Sequence, residues 1–172
     1  MYFRIMIFGR PGSGKSTFSL KLAQKTGISL YHLDKYFYKE NWIEHEYEQF
    51  LMMQKKIVDQ SQWIIDGNAL QSLDIRYSRA DLCLYFNYPR WFCIWRILKR
   101  IFKKDSEIDD RAQGCKERIS WNLIKYTWTF EYRKNNRLIN QLEQLKKRNP
   151  HVAFIEIKND QELKEIYTLI LE

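Results

Sequence analysis

The residues best suited to chemistry lie near the start of the chain, in the run Gly9-Arg10-Pro11-Gly12-Ser13-Gly14-Lys15-Ser16. This G-x-x-x-x-G-K-S spacing is typical of a phosphate-binding loop, whose glycines let successive backbone N–H groups point at one anion. Lys15 can reach the β- and γ-phosphates of a nucleoside triphosphate, and the Ser16 hydroxyl can ligate Mg²⁺. The alternative is a glycine-rich turn with an exposed lysine, but the complete motif favours phosphate. The residues expected to bind the nucleotide are Gly9, Arg10, Pro11, Gly12, Ser13, Gly14, Lys15, Ser16 and Thr17.

A strand before this loop and a helix after it would hold its amides in place. Apolar runs predict strands over residues 2–8, 28–33, 62–66, 81–86 and 152–157. Helical spacing predicts helices over residues 15–26, 41–60, 90–102 and 161–171, and a long helical region over 115–148 that bends or breaks midway. Strands alternating with helices predict one α/β domain over residues 1–172, with a parallel sheet covered on both faces.

Two aspartates fall at predicted strand ends, where α/β sheets bind their ligands. Asp66 closes the apolar run Trp63-Ile64-Ile65, and a carboxylate there could help Ser16 organise Mg²⁺. Asp34 follows the second strand and could hold an acceptor hydroxyl by hydrogen bonding or as a general base. Each aspartate could instead cap a turn, and for Asp34 the two interpretations are nearly balanced.

Several basic side chains could stabilise transferring phosphates. Arg96, Arg100 and Lys103 recur at helical spacing, so one helix face carries three cations. That face could offset charge on a γ-phosphoryl group, although a solvated basic face is the usual explanation. Weaker candidates for binding the acceptor are Arg76, Arg133 and Arg137. Trp121 and Trp128, seven residues apart, are interpreted as a core stripe.

Taken together, these residues resemble the adenylate-kinase-like group of P-loop kinases, and within it the bacterial topology modulation (FlaR-type) proteins. The resemblance spans most of the chain. It is carried by residues 9–17, His32-Leu33-Asp34, Trp63-Ile64-Ile65-Asp66-Gly67-Asn68, Arg79-Ala80-Asp81, Tyr88-Pro89-Arg90, residues 93–100, and Gly114-Cys115 with the tryptophan-rich helix that follows.

The resemblance implies a three-layer fold with a five-stranded parallel sheet in the order 2-3-1-4-5, a short lid and an acceptor-binding insertion. The insertion would be the helical segment 35–61, and the lid would occupy residues 101–136. It also implies an ATP- and Mg²⁺-dependent kinase, with Lys15, Asp34, Asp66, Arg96 and Arg100 as catalytic residues. The acceptor would be a nucleoside, a nucleotide or another small metabolite. A nucleotide-dependent regulator that binds DNA is the alternative.

Composition indicates which ligands and which cellular compartment suit the protein. The formal charge is +8, and residues 89–104 contain six cations and no acid, which suits polyphosphate or nucleic acid. The three cysteines are isolated, so the sequence predicts a reducing, cytoplasmic setting without disulfides. The first strand enters the phosphate loop so early that no secretion signal is expected, and no apolar run is long enough for a membrane span. The sequence therefore predicts no membrane partner, and it leaves the oligomeric state open.

Overall fold

The computed structural model describes residues 2–38, 43–102, 121–130 and 135–171. The strands are β1 Arg4–Gly9, β2 Leu30–His32, β3 Trp63–Asp66, β4 Leu82–Phe86 and β5 Ala153–Ile157. The helices are α1 Lys15–Thr26, α2 Leu33–Phe37, α3 Tyr47–Val58, α4 Leu73–Tyr77, α5 Arg90–Phe102, α6 Trp121–Thr129, α7 Asn135–Arg148 and α8 Asp160–Leu171, with a 3₁₀ turn over Leu70–Ser72.

The five strands form one parallel sheet in the order β2-β3-β1-β4-β5, as predicted. β1 lies at the centre, with Met6 beside Ile65 of β3 and Cys83 of β4. Its residues are almost wholly buried because helices cover both faces, which explains the continuous apolar run in the sequence. The central position of β1 places the loop that follows it in the middle of the sheet's carboxyl edge.

Two apolar clusters, one on each face of the sheet, hold the layers together. Met6 and Phe8 point to the face covered by α3, α4 and α7. Ile5 and Ile7 point to the opposite face, which α1, α5 and α8 cover. Alternate side chains of one strand thus anchor both helical layers, as strand geometry requires.

The structure differs from the sequence-based prediction around the second strand. β2 is only three residues long, and Leu33 begins a short helix, so Asp34 lies in the first turn of α2 instead of at a strand end. The 3₁₀ turn and α4 were not predicted. The helix expected over residues 41–60 is observed as the shorter α3, and residues 39–42 lie outside the described part.

The long helical region consists of two described helices, α6 and α7. The prediction that Trp121 and Trp128 form a core stripe is wrong, because the two residues are 84% and 46% exposed. Helical spacing shows that the two share a face of the helix, but it does not show which face is buried. Most of the predicted lid, residues 103–120 and 131–134, lies outside the described residues. None of the described helices is both long enough and apolar enough to cross a bilayer.

Asp81 fastens the start of β1 to the start of β4. Its carboxylate accepts hydrogen bonds from the N–H groups of Phe3 and Arg4 and from the Arg4 guanidinium, at 2.5–3.2 Å. Burial would raise the pKa of the Asp81 carboxyl, but these bonds hold its pKa below the ordinary value. A carboxyl whose pKa is lowered on folding stabilises the protein above its unfolded pKa, and the effect is lost as pH falls through the folded value.

We therefore expect Asp81→Asn to lower the free energy of unfolding by about 2 kcal/mol at neutral pH. The difference from wild type should shrink as the pH falls below about 4. Urea unfolding at several pH values measures both effects. The matched control is Asp59→Asn, whose exposed carboxylate lies 4.0 Å from Arg79 and should contribute about 0.5 kcal/mol or less. Equal effects of the two substitutions would contradict the anchoring role of Asp81.

Candidate active site

The loop between β1 and α1 has the backbone shape that its sequence predicts. Gly12 and Gly14 have φ values of +78° and +96°, in the left-handed region that glycine adopts without strain. A Cβ atom on Gly12 would lie 2.6 Å from the carbonyl oxygen of Cys93 in α5, so the loop can approach α5 only with glycine here. α1 begins at Lys15 with no acidic residue in its first turn, so its positive dipole end is not offset locally.

Hydrogen bonds within the loop converge on one carbonyl oxygen. The Arg10 oxygen accepts from Ser13 Oγ at 2.7 Å, from Ser13 N at 3.3 Å and from Lys15 Nζ at 3.2 Å. Ser13 therefore shapes the loop, while Lys15 lies folded across it. The Lys15 bond can be exchanged for a phosphate oxygen without undoing the loop, because the two Ser13 bonds remain.

Arg10 belongs to the predicted nucleotide-binding set, but its side chain is buried and points away from the loop interior. Its guanidinium donates to the carbonyl oxygens of Tyr88 and Thr127, both at 2.9 Å, and lies over the Phe130 ring. Its main-chain N–H donates to Phe86 O. In this structure Arg10 fastens the loop to β4 and to the end of α6.

Asp66 ends β3 beside the loop and is 4% exposed. Its Oδ2 lies 3.2 Å from His32 Nδ1, while its buried Oδ1 has no hydrogen-bond partner among the described residues. Burial would raise the pKa of this carboxyl, but the hydrogen bond from His32, the charge of Lys15 and the nearby Ser16 hydroxyl hold its pKa below the ordinary value. A charged carboxylate with an open oxygen therefore lies next to the Ser16 hydroxyl.

Two cavities meet at this loop. The first, the α8 cavity, has a volume of about 580 Å³ and lies among α1, α5 and α8. The second, the α3 cavity, has a volume of about 600 Å³ and lies among α2, α3, α6 and the segment after β3. Four residues line both cavities: Gly12, Lys15, Ser16 and Arg100. A molecule in either cavity can therefore reach the amino group of Lys15.

Of the comparisons with known proteins, only the one with solved structures bears on the fold. No family model and no curated protein sequence matches the chain. Among solved structures, an unliganded sugar kinase from Janibacter sp. HTCC2649 matches with a TM-score of 0.50 and 14% identity, over 97% of this chain and 91% of that one. The sheet order β2-β3-β1-β4-β5 matches the topology of P-loop kinases. At this identity the likeness shows the fold alone, and the topology modulation subgroup stays a prediction.

On the α8 side of the loop, Arg96 connects the loop to α8. Its guanidinium donates to Ser13 O at 3.0 Å and to both carboxylate oxygens of Asp160 at 2.8–2.9 Å. Arg96 and Arg100 both line the α8 cavity. Asp160 was not predicted, although it follows β5 and the strand-end rule that selected Asp66 also applies to it.

On the other side, the α3 cavity combines aromatic and polar walls. Asp34 lines it, so the predicted acceptor-binding aspartate reaches the cavity from α2 even though the second strand ends earlier than expected. The aromatic residues that line this cavity are Phe37, Tyr38, Tyr47, Phe50 and Tyr126. Its polar lining includes Asn68, Gln71 and Ser72, and Asn68 also accepts the N–H of Gly9 at 2.9 Å. The sequence analysis assigned none of these three to the site.

The three weaker arginine candidates are placed differently. Arg76 is fully buried and lines neither cavity. Its Nη2 donates to Ala69 O at 3.0 Å, and its Nε and Nη1 have no hydrogen-bond partner among the described residues. Burial lowers its pKa to about 10. Arg133 lies outside the described residues, and of Arg137 only the backbone, in α7, is described.

Proposed function

We propose that this protein is a kinase that transfers the γ-phosphoryl group of ATP, with Mg²⁺, to a small acceptor. The observation that carries the proposal is the meeting of two cavities at one phosphate loop. Phosphoryl transfer needs a donor and an acceptor in line on opposite sides of the transferred group, and catalysis consists largely of positioning and charge stabilisation. The α8 cavity would take the nucleotide, and the α3 cavity would take the acceptor.

The residues present fit a Mg²⁺–nucleotide complex. The open Oδ1 of Asp66 and the Ser16 hydroxyl are oxygen ligands of the kind that Mg²⁺ prefers. Within the described residues, no cluster of three His, Cys, Asp or Glu side chains could hold a metal by itself. The ion would therefore be held by Ser16 and Asp66 together with phosphate oxygens, as is usual for Mg²⁺. When bound, it neutralises charge on the β- and γ-phosphates.

The remaining roles follow from position. Lys15 would leave the Arg10 carbonyl to hold the β- and γ-phosphates, and the loop amides would donate to their oxygens. Arg100, which borders both cavities, would stabilise charge on the transferring group, and Arg96 would assist from the nucleotide side. Asp34 would hold the acceptor hydroxyl by hydrogen bonding or take its proton.

The acceptor is proposed only as a class. The α3 cavity is large enough for a nucleoside or another small metabolite, and its aromatic rings could pack against a ring of the acceptor. An acceptor phosphate would need a cation, which Arg76, Arg133 or Arg137 would supply. For Arg76 this requires a rearrangement, because its guanidinium lies behind the cavity wall. We also propose that the protein belongs to the topology modulation group, but this membership does not identify the acceptor.

The test is a screen of nucleosides, nucleotides and small sugars for stimulated ADP release from Mg·ATP. We expect at least one acceptor to raise ADP release with saturation, in proportion to the phosphorylated product seen by mass spectrometry. Calorimetry should detect ATP binding to the wild-type protein and no binding when the loop between β1 and α1 is disrupted. If ATP binds but no acceptor stimulates ADP release, the protein would instead be a nucleotide-dependent switch. If ATP does not bind, the proposal is overturned.

A further inference from the structure

α5 and α6 expose tryptophans that the proposed kinase reaction does not use. On α5, Trp91, Trp95 and Leu98 are 66%, 52% and 40% exposed. They recur at i, i+4 and i+7 and therefore share one face of the helix. On α6, Trp121 and Trp128 are seven residues apart and therefore also share a face, at 84% and 46% exposure. Exposed side chains of this size on neighbouring helices mark an interaction surface.

Cations accompany these rings. The Arg90 guanidinium lies 4.4 Å from the centre of the Trp128 ring, which places the end of α6 beside the start of α5. The Lys99 ammonium lies 4.9 Å from the centre of the Trp95 ring. Lys125 is exposed one helical turn from Trp121. Neither α5 nor α6 contains an acidic residue, so the surface is positive and complementary to an anionic partner.

We propose that the tryptophan face, formed by Trp91, Trp95, Leu98, Trp121 and Trp128 with Arg90, Lys99 and Lys125, binds the surface of an anionic lipid bilayer. Tryptophan favours the level of the lipid headgroups, where its apolar ring and its N–H are both accommodated. Neighbouring cations add attraction to anionic headgroups, roughly fivefold in affinity for each Lys or Arg near the surface. Such a contact needs no spanning helix. It would replace the sequence-based expectation that the protein has no membrane partner.

Two features favour lipid over nucleic acid. Single-stranded nucleic acid binds by stacking its bases on free aromatic faces. Here cations already lie over the Trp95 and Trp128 rings. Duplex DNA is bound mainly through phosphate contacts, to which Leu98 and four tryptophans contribute little. Trp95 and Lys99 border a small pocket together with Arg96 and Arg100, so the membrane contact would lie beside the α8 cavity.

The test is sedimentation of the full chain with vesicles of phosphatidylcholine alone or mixed equally with phosphatidylglycerol. We expect at least tenfold tighter binding to the anionic vesicles, and quenching of tryptophan fluorescence by brominated acyl chains. The double variant Trp91→Gln/Trp95→Gln should lose at least tenfold in affinity, and Lys99→Gln should lose a few-fold. Because Trp91 and Trp95 are more than half exposed, the melting temperature of the double variant should stay near that of wild type.

Matched controls are available on other helices. The double variant Ile139→Gln/Leu169→Gln removes two apolar side chains that are 53% and 58% exposed on α7 and α8, and Lys55→Gln removes an exposed charge on α3. Both should bind vesicles like wild type. The proposal is overturned if anionic vesicles do not bind, or if the tryptophan variants bind like wild type. It is also overturned if those variants lose only an oligonucleotide complex or only a dimer.

Discussion

Replacement of Lys15 by alanine is expected to slow phosphoryl transfer at least about a hundredfold while leaving the fold intact. Lys15 lines both cavities. In the proposed reaction its ammonium can therefore stay close to the γ-phosphoryl group as that group moves from donor to acceptor. A cation already fixed in this position stabilises the negative charge on the transferring group, because the site does not have to rearrange at the moment of transfer. ATP affinity should fall as well, because the same group contacts the phosphates before transfer.

The fold should survive because the loop does not depend on Lys15. The Lys15 ammonium donates a hydrogen bond to Arg10 O, which also accepts two bonds from Ser13, so loss of the Lys15 bond should lower the free energy of unfolding by about 1 kcal/mol. The matched control is Lys25→Ala, the same charge change in the last turn of α1 and away from both cavities. Rates come from the ADP-release assay with the identified acceptor, and stability from urea unfolding. A Lys15→Ala variant that turned over like Lys25→Ala would show that the loop is not the phosphate site.

How far the sequence predicts this site depends on how local each signal is. The backbone shape of the loop between β1 and α1 and the bounds of α1 were predicted residue by residue, because positive φ values require glycine and the helix ends where Gly27 adopts φ +73°. The central strands were predicted within two residues, because a strand buried on both faces is an apolar run. The strand order came from the resemblance, because pairing is a long-range property that no local run encodes.

The features that were missed or wrongly predicted also depend on long-range contacts. The α3 cavity is assembled from α2, α3, α6 and the turn after β3, and its polar residues Asn68, Gln71 and Ser72 follow no short spacing rule. The orientation of Arg10 is set by carbonyl oxygens 78 and 117 residues further along the chain. The exposure of Trp121 depends on which side of α6 packs against its neighbours. Each of these outcomes is decided by tertiary packing rather than by local pattern.

Asp66→Asn is expected to lower the apparent affinity of the reaction for Mg²⁺ by on the order of 10- to 100-fold. Half-maximal activity would then require a higher Mg²⁺ concentration. The substitution keeps the size of the side chain and removes its charge. Because the pKa of Asp66 lies below the ordinary carboxyl value, wild type carries the full charge at neutral pH. The difference between the two proteins should therefore be constant from about pH 6 to pH 8.

Mg²⁺ titrations of activity at fixed ATP measure this effect, and Asp34→Asn gives the contrast. Both carboxylates line the α3 cavity, and the nearby Ser16 hydroxyl helps to lower the pKa of Asp66. Asp34→Asn should therefore raise KM for the acceptor or lower kcat, with an unchanged Mg²⁺ midpoint. If the two variants shifted the Mg²⁺ midpoint equally, the division of labour between the carboxylates would be wrong. If neither shifted it, Ser16 and the phosphates would have to hold the ion without a protein carboxylate.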